Sequence, residues 1–230
     1  MISNDQIQVL CYGDSNTWGC IGRWVNSTEP SERFDTDVRW PTVAQKELGD
    51  RFHIIEEGLG GRTTIYPNPG EEWKNGETYL KPCIHTHRPL DLVVIMLGTN
   101  DLQIKKDITA EDLPIGITRL VDIIQNDPKV GRGFVPPKIL VIAPVEVRPS
   151  DPKGRTTVYA QFRCDIGREL SLMLPAVYEQ VAKEKGCYFL NAQSFAQPGP
   201  ADGVHFDAES HISLGKAVAK FIQEQIFPEK

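Results

Sequence analysis

The sequence predicts a doubly wound three-layer α/β sandwich around a central, mostly parallel five-stranded sheet, with one domain over residues 1–230. Two observations carry this expectation. Five short apolar runs, at 7–12, 53–57, 91–97, 138–143 and 187–190, are hydrophobic almost without interruption, and helical patterns separate them. A strand with one wet face alternates polar and apolar residues, whereas a continuously apolar strand is covered on both faces, as in a parallel sheet. Alternating strand and helix then selects the layered α/β class.

Each helix has its own local signal. A helix over 42–48 follows Pro41, a good first-turn residue. The stretch 112–125 carries Ile115, Leu120, Ile123 and Ile124 on broadly one side. The stretch 164–185 is long, and Pro175 predicts a kink in it. The last helix, 208–226, follows Asp207, which suits an N-cap. Three irregular stretches rich in Gly, Pro and charge, at 19–39, 65–82 and 144–157, have the length of lids, binding walls or oligomer contacts. There is no internal repeat, low-complexity tract or linker.

Composition excludes several classes. A net charge of −6 without a basic stripe argues against nucleic acid. Five cysteines, an odd number without close paired spacing, read as reduced thiols in a cytoplasmic protein. No leader pattern precedes the first strand, and no apolar run approaches the ~20 residues that span a bilayer, so neither membrane nor export is expected. His85-Thr86-His87 would place two imidazoles on one face of a strand. No further Cys or His lies at ligand spacing, Cys83 belongs to no familiar site, and no metal is expected.

The chemistry is concentrated at strand ends. Gly13-Asp14-Ser15-Asn16 directly follows the first apolar run, so the Ser15 hydroxyl can face a cleft. A serine is a weak nucleophile at neutral pH and needs a base, an orienting acid and donors for an oxyanion. Asp202 and His205, three residues apart, supply the first two: Asp202 can accept from one ring nitrogen while the other faces Ser15. Asn100, in Gly98-Thr99-Asn100-Asp101, and a backbone N–H in the Gly60-Gly61 turn are oxyanion candidates. Gly61 is favoured because it immediately precedes Arg62-Thr63, and Gly60 is the fallback. Ser15, Gly61 and Asn100 all follow the carboxyl ends of predicted strands, where ligands of open α/β sheets bind. Trp18 is the best pocket wall, and Asp14, Asn16 and Gly60 complete the expected substrate-contacting set. Asp14 and Asp101 also read as turn residues bonding nearby N–H groups. Arg62 reads as a loop anchor through ion pairing.

These four blocks, in this order from Gly13 to His205, resemble the SGNH (GDSL-type) esterases and acyltransferases. The stretch Glu56-Glu57-Gly58-Leu59-Gly60-Gly61-Arg62-Thr63-Thr64 is most similar to the bacterial arylesterase and acyltransferase branch. The resemblance implies an SGNH/flavodoxin-like fold and a serine esterase acting on short-chain acyl esters, aryl or other small ones. Ser15, His205 and Asp202 would form the triad, and the N–H groups of Ser15 and Gly61, with Asn100, the oxyanion hole. It implies no cofactor, water or an alcohol as acyl acceptor, and a homo-oligomer whose insertions restrict the pocket. Two other readings stand beside it: a carbohydrate O-deacetylase, with Trp24 and Trp73 lining an open groove, and a non-catalytic small-ligand-binding protein. The sequence departs from the family in having Asn16 where leucine is usual and two consecutive glycines in the second block.

Overall fold

The computed structural model describes residues 6–22, 32–150 and 157–229. The elements, in chain order, are β1 (Ile7–Gly13), α1 (Ser15–Trp18), α2 (Trp40–Leu48), β2 (Phe52–Gly58), α3 (Gly76–Thr86) and β3 (Leu92–Met96). There follow α4 (Asp101–Ile104), α5 (Leu113–Gln125), β4 (Lys138–Ala143), α6 (Thr157–Gln161), α7 (Asp165–Lys185), β5 (Tyr188–Asn191) and α8 (Ala208–Phe221). A π turn, Ile222–Ile226, extends α8. All four strand pairings are parallel, in the order β2-β1-β3-β4-β5.

This is the predicted three-layer sandwich, and both faces of the sheet are covered. Val9, Cys11, Val94 and Ile142 pack against Trp40 and Ala44 of α2 and Leu214 and Val218 of α8. Leu10, Tyr12, Val93 and Val141 pack on the other side against α3, α5 and α7 through Leu80, Ile117, Leu120 and Leu174. Successive strand residues thus enter opposite cores, which is why the runs are apolar throughout.

Register brings the functional loops level. Gly13 pairs with Gly58 on one side and Met96 on the other, so β1, β2 and β3 finish at one edge. The order reverses between β1 and β3, which makes this edge the switch point of the sheet.

Two sequence expectations need correction. The region 65–82 is not wholly irregular, and His85-Thr86-His87 is not a strand: α3 runs from Gly76 to Thr86, and His87 ends it. Asn75 caps it by accepting from the Thr78 N–H, and Leu80, Cys83 and Ile84 form its buried stripe. Pro82 lies inside the helix on its exposed side. Helix α7 continues through Pro175.

Candidate active site

Local chain geometry forces Ser15 to the sheet edge. A Cβ at Gly13 would lie 2.0 Å from Thr17 Oγ1, so β1 must end in glycine for α1 to fold back this tightly. Asp14 then caps α1, its carboxylate accepting from the Asn16 N–H at 3.0 Å. Ser15 is the first helical residue, and Gly19, at φ 91°, ends the turn.

The imidazole comes from a loop between β5 and α8. Gly203, at φ 76°, approaches Arg148 so closely that a Cβ would meet its carbonyl oxygen at 1.9 Å. Asp202 Oδ1 accepts from the N–H groups of Val204 and His205, both at 2.9 Å. Its Oδ2 lies 2.6 Å from His205 Nδ1, and His205 Nε2 lies 3.0 Å from Ser15 Oγ. Burial opposes ionisation of Asp202, but the bonds from His205 and the two backbone N–H groups hold its pKa below the usual carboxylate value. With Asp202 ionised and the imidazole neutral, Nδ1 carries the proton and Nε2 accepts from the serine hydroxyl. Burial disfavours the imidazolium too, yet Asp202 and the neighbouring Cys20 side chain outweigh it and raise the His205 pKa.

The other sequence-singled residues fall around this relay. No acceptor among the described residues takes the backbone N–H of Ser15, Gly60 or Gly61. Gly61 sits at φ 77°, whereas Gly60 needs neither a left-handed backbone nor a missing side chain, since a Cβ there would meet nothing within 4 Å. Asn100 Nδ2 donates to the Arg62 carbonyl at 3.0 Å and contacts Asp14 Oδ2 at 3.4 Å. It thereby links the residue before Ser15 to the residue after Gly61. Asp101 accepts from the Thr64 N–H at 2.8 Å and from its hydroxyl at 2.6 Å. Trp18 is half-buried, with the Arg33 guanidinium 5.3 Å from its ring centroid. Trp73 is exposed, Trp40 is core, and Trp24 lies outside the described residues.

Two residues do more than the sequence suggests. Arg62 is 2% exposed and anchors its loop through backbone carbonyls, not through an ion pair. Its Nη1 donates to the Gly13 and Glu57 carbonyls, and its guanidinium lies 4.2 Å from the Tyr12 centroid and 5.3 Å from that of Tyr79. Asn16, expected to alter packing or contact substrate, donates to the Val204 carbonyl at 3.2 Å and accepts from the Phe206 N–H at 2.9 Å. No sequence signal marks this role beyond an amide standing where the resembled family has leucine.

A hydroxyl, an imidazole and a carboxylate bonded in that order at the switch point of a parallel sheet are the parts of a serine hydrolase. Residues 11–211 match the GDSL-like lipase/acylhydrolase family. The chain belongs to this family, the SGNH ester hydrolases. Est24, a carbohydrate acetylesterase from Sinorhizobium meliloti, is 37% identical, with 94% of this chain and 98% of that one covered at a TM-score of 0.85. The aryl esterase of M. smegmatis is 36% identical over the same shares, with a TM-score of 0.84. No curated protein sequence matches the chain.

All five cysteines are unpaired thiols. Among the described residues, no helix is long and apolar enough to cross a membrane.

Proposed function

We propose that the protein is a serine esterase that hydrolyses short-chain acyl esters, aryl or other small ones, and passes the acyl group to alcohols as well as to water. The observation that carries this reading is the continuous relay from Ser15 Oγ through His205 to Asp202, at 3.0 and 2.6 Å. Ser15 Oγ attacks the ester carbonyl while His205 Nε2 takes its proton; Asp202 stabilises the imidazolium. The tetrahedral oxyanion is held by the N–H groups of Ser15 and Gly61 and by Asn100, which exchanges its long contact to Asp14 for the substrate oxygen. Each such donor is worth about 3 kcal/mol of barrier. Collapse expels the alcohol, which receives the proton from His205. Water or a second alcohol then attacks the acyl-enzyme with His205 again as base. No step calls for a cofactor.

A second reading, removal of acetyl groups from carbohydrates, is favoured by Trp73. It is 61% exposed and next in sequence to Lys74, whose side chain runs over Gly61, and an exposed indole offers a face on which a sugar ring stacks. The likeness to a carbohydrate acetylesterase supports the same reading. The partners in either case are a small ester and an acyl acceptor, with a homo-oligomer enclosing the site. The unpaired cysteines favour a cytoplasmic location.

The test is turnover of p-nitrophenyl acetate, butyrate and octanoate by wild type and Ser15→Ala, followed by a vinyl ester with added alcohol. Rates should fall with acyl length and vanish in the variant, and the vinyl ester should give both acid and new ester. Equal turnover by both proteins would sink the serine mechanism, and acid alone would remove acyl transfer.

A further inference from the structure

The register of β2 against α3 assembles three chemically distinct side chains away from Ser15. Glu57 is the penultimate residue of β2, Cys83 lies on the buried stripe of α3, and His87 ends that helix one turn later. One ligand atom from each lies within 4.8 Å of the other two, and His87 Nε2 is 2.8 Å from Glu57 Oε1. Cys83 is 1% exposed, while the side chains of Glu57 and His87 are 18% and 28% exposed. The thiolate position is therefore dry, and the other two open a route to solvent.

We propose that Glu57, Cys83 and His87 bind a divalent cation of the zinc–cadmium type, leaving one coordination position to water. One thiolate, one imidazole and one carboxylate form a borderline-soft set, unlike the all-oxygen shells that magnesium and calcium require. Tetrahedral bonds of about 2.0–2.3 Å place ligand atoms roughly 3.3–3.8 Å apart, so side-chain rotations of an ångström or less close the cluster around an ion. Charge also fits: a carboxylate and a thiolate together neutralise a divalent ion. The His87 Nε2 to Glu57 Oε1 contact of 2.8 Å already holds two of the three ligands side by side, next to the Cys83 thiol. The sequence signal is Cys83-x-x-x-His87, two ligands on one helical face, hidden while this segment is read as loop and strand.

Cadmium is the probe, added to chelator-treated full-length protein carrying Cys164→Ser and Cys187→Ser, which removes the two thiols that are not buried. The ultraviolet sulfur-to-cadmium charge-transfer band should saturate at one equivalent and disappear with Cys83→Ser. His87→Gln and Glu57→Gln should each weaken binding by at least the ~10–100-fold that loss of a mere outer-shell partner costs. Absence of the band, its survival in Cys83→Ser, or indifference to either of the other two substitutions overturns the site. Should Cys83→Ser not fold, cadmium NMR of the parent protein decides: a one-sulfur, mixed nitrogen and oxygen shift is expected, and an oxygen-only or two-sulfur shift overturns the proposal. None of these readouts depends on esterase activity.

Discussion

Asn16 holds the peptide units on either side of His205, through Val204 and Phe206, while its own backbone N–H is fixed by Asp14. The residue after Ser15 thus helps to set where the His205 imidazole stands. The 3.0 Å from Nε2 to Oγ is then held from two sides, by this buried amide on α1 and by Asp202 within the loop. Asn16→Ala would leave a buried N–H and C=O unsatisfied, at about 1–3 kcal/mol each. It would also loosen the relay, and a misplacement of about 1 Å at a reacting centre costs on the order of 100-fold. In folded Asn16→Ala, kcat on a short acyl ester should fall by roughly 10- to 100-fold with KM little changed. Steady-state kinetics checks this, and a variant with wild-type kcat would show that the bracket does not position the base.

At the scale of elements, the site depends on how closely α1 approaches the ends of β1 and β2. A Cβ at Gly58 would lie 2.1 Å from the Trp18 backbone nitrogen, so Gly58→Ala must push α1, and Ser15 with it, away from the sheet. Overpacking of this kind costs about 1–3 kcal/mol. The expectation is a lower Tm together with a marked loss of kcat/KM. Gly60→Ala, two residues on and facing open space, should leave both near wild type; equal effects of the two substitutions would refute the close-approach argument. The strands that bring these glycines together were legible because each is covered on both faces, and their ends fell within a residue or two of the apolar runs. Helix α3 was not legible: its interior Pro82 and N-terminal Gly76 are helix-weakening residues, and only tertiary burial of Leu80, Cys83 and Ile84 overrides them. Ser15 and Asn100 could be picked out because they follow readable strands, and His205 because Asp202 stands three residues before it, just ahead of the last helix. The roles of Asn16 and Arg62 could not, since both act through backbone groups that are distant in sequence, as with Asn16 and Val204.

Across the whole molecule, the loops at the sheet edge are tied together by carboxylates that the fold has buried. Asp14 and Asp101 are 3% and 6% exposed. Burial pushes the Asp14 carboxyl up to about 6, against the Asn16 N–H, and that of Asp101 up to about 7, against the two bonds from Thr64. An acid whose folded pKa lies above its unfolded value binds more protons when folded. Stability from these two groups is therefore fully present below the ordinary carboxylate value of about 4 and is lost as pH rises toward their folded values. Asp202 has the opposite sign, since its depressed pKa stabilises above its unfolded value and that contribution disappears only in stronger acid. Between about pH 5 and pH 8 the buried pair therefore dominates the carboxylate contribution. Asp101→Asn isolates it: the amide oxygen can still accept from the Thr64 N–H, and its NH2 can donate to the Thr64 hydroxyl, so geometry is kept while the titration is removed. Relative to wild type, the variant should gain Tm as pH is raised from about 5 to 8, at about 2–4 °C for each kcal/mol of charge burial avoided. Thermal melts of both proteins at the two pH values check this. A difference between them that stays constant with pH would mean that Asp101 is ionised throughout, its charge fully met by Thr64.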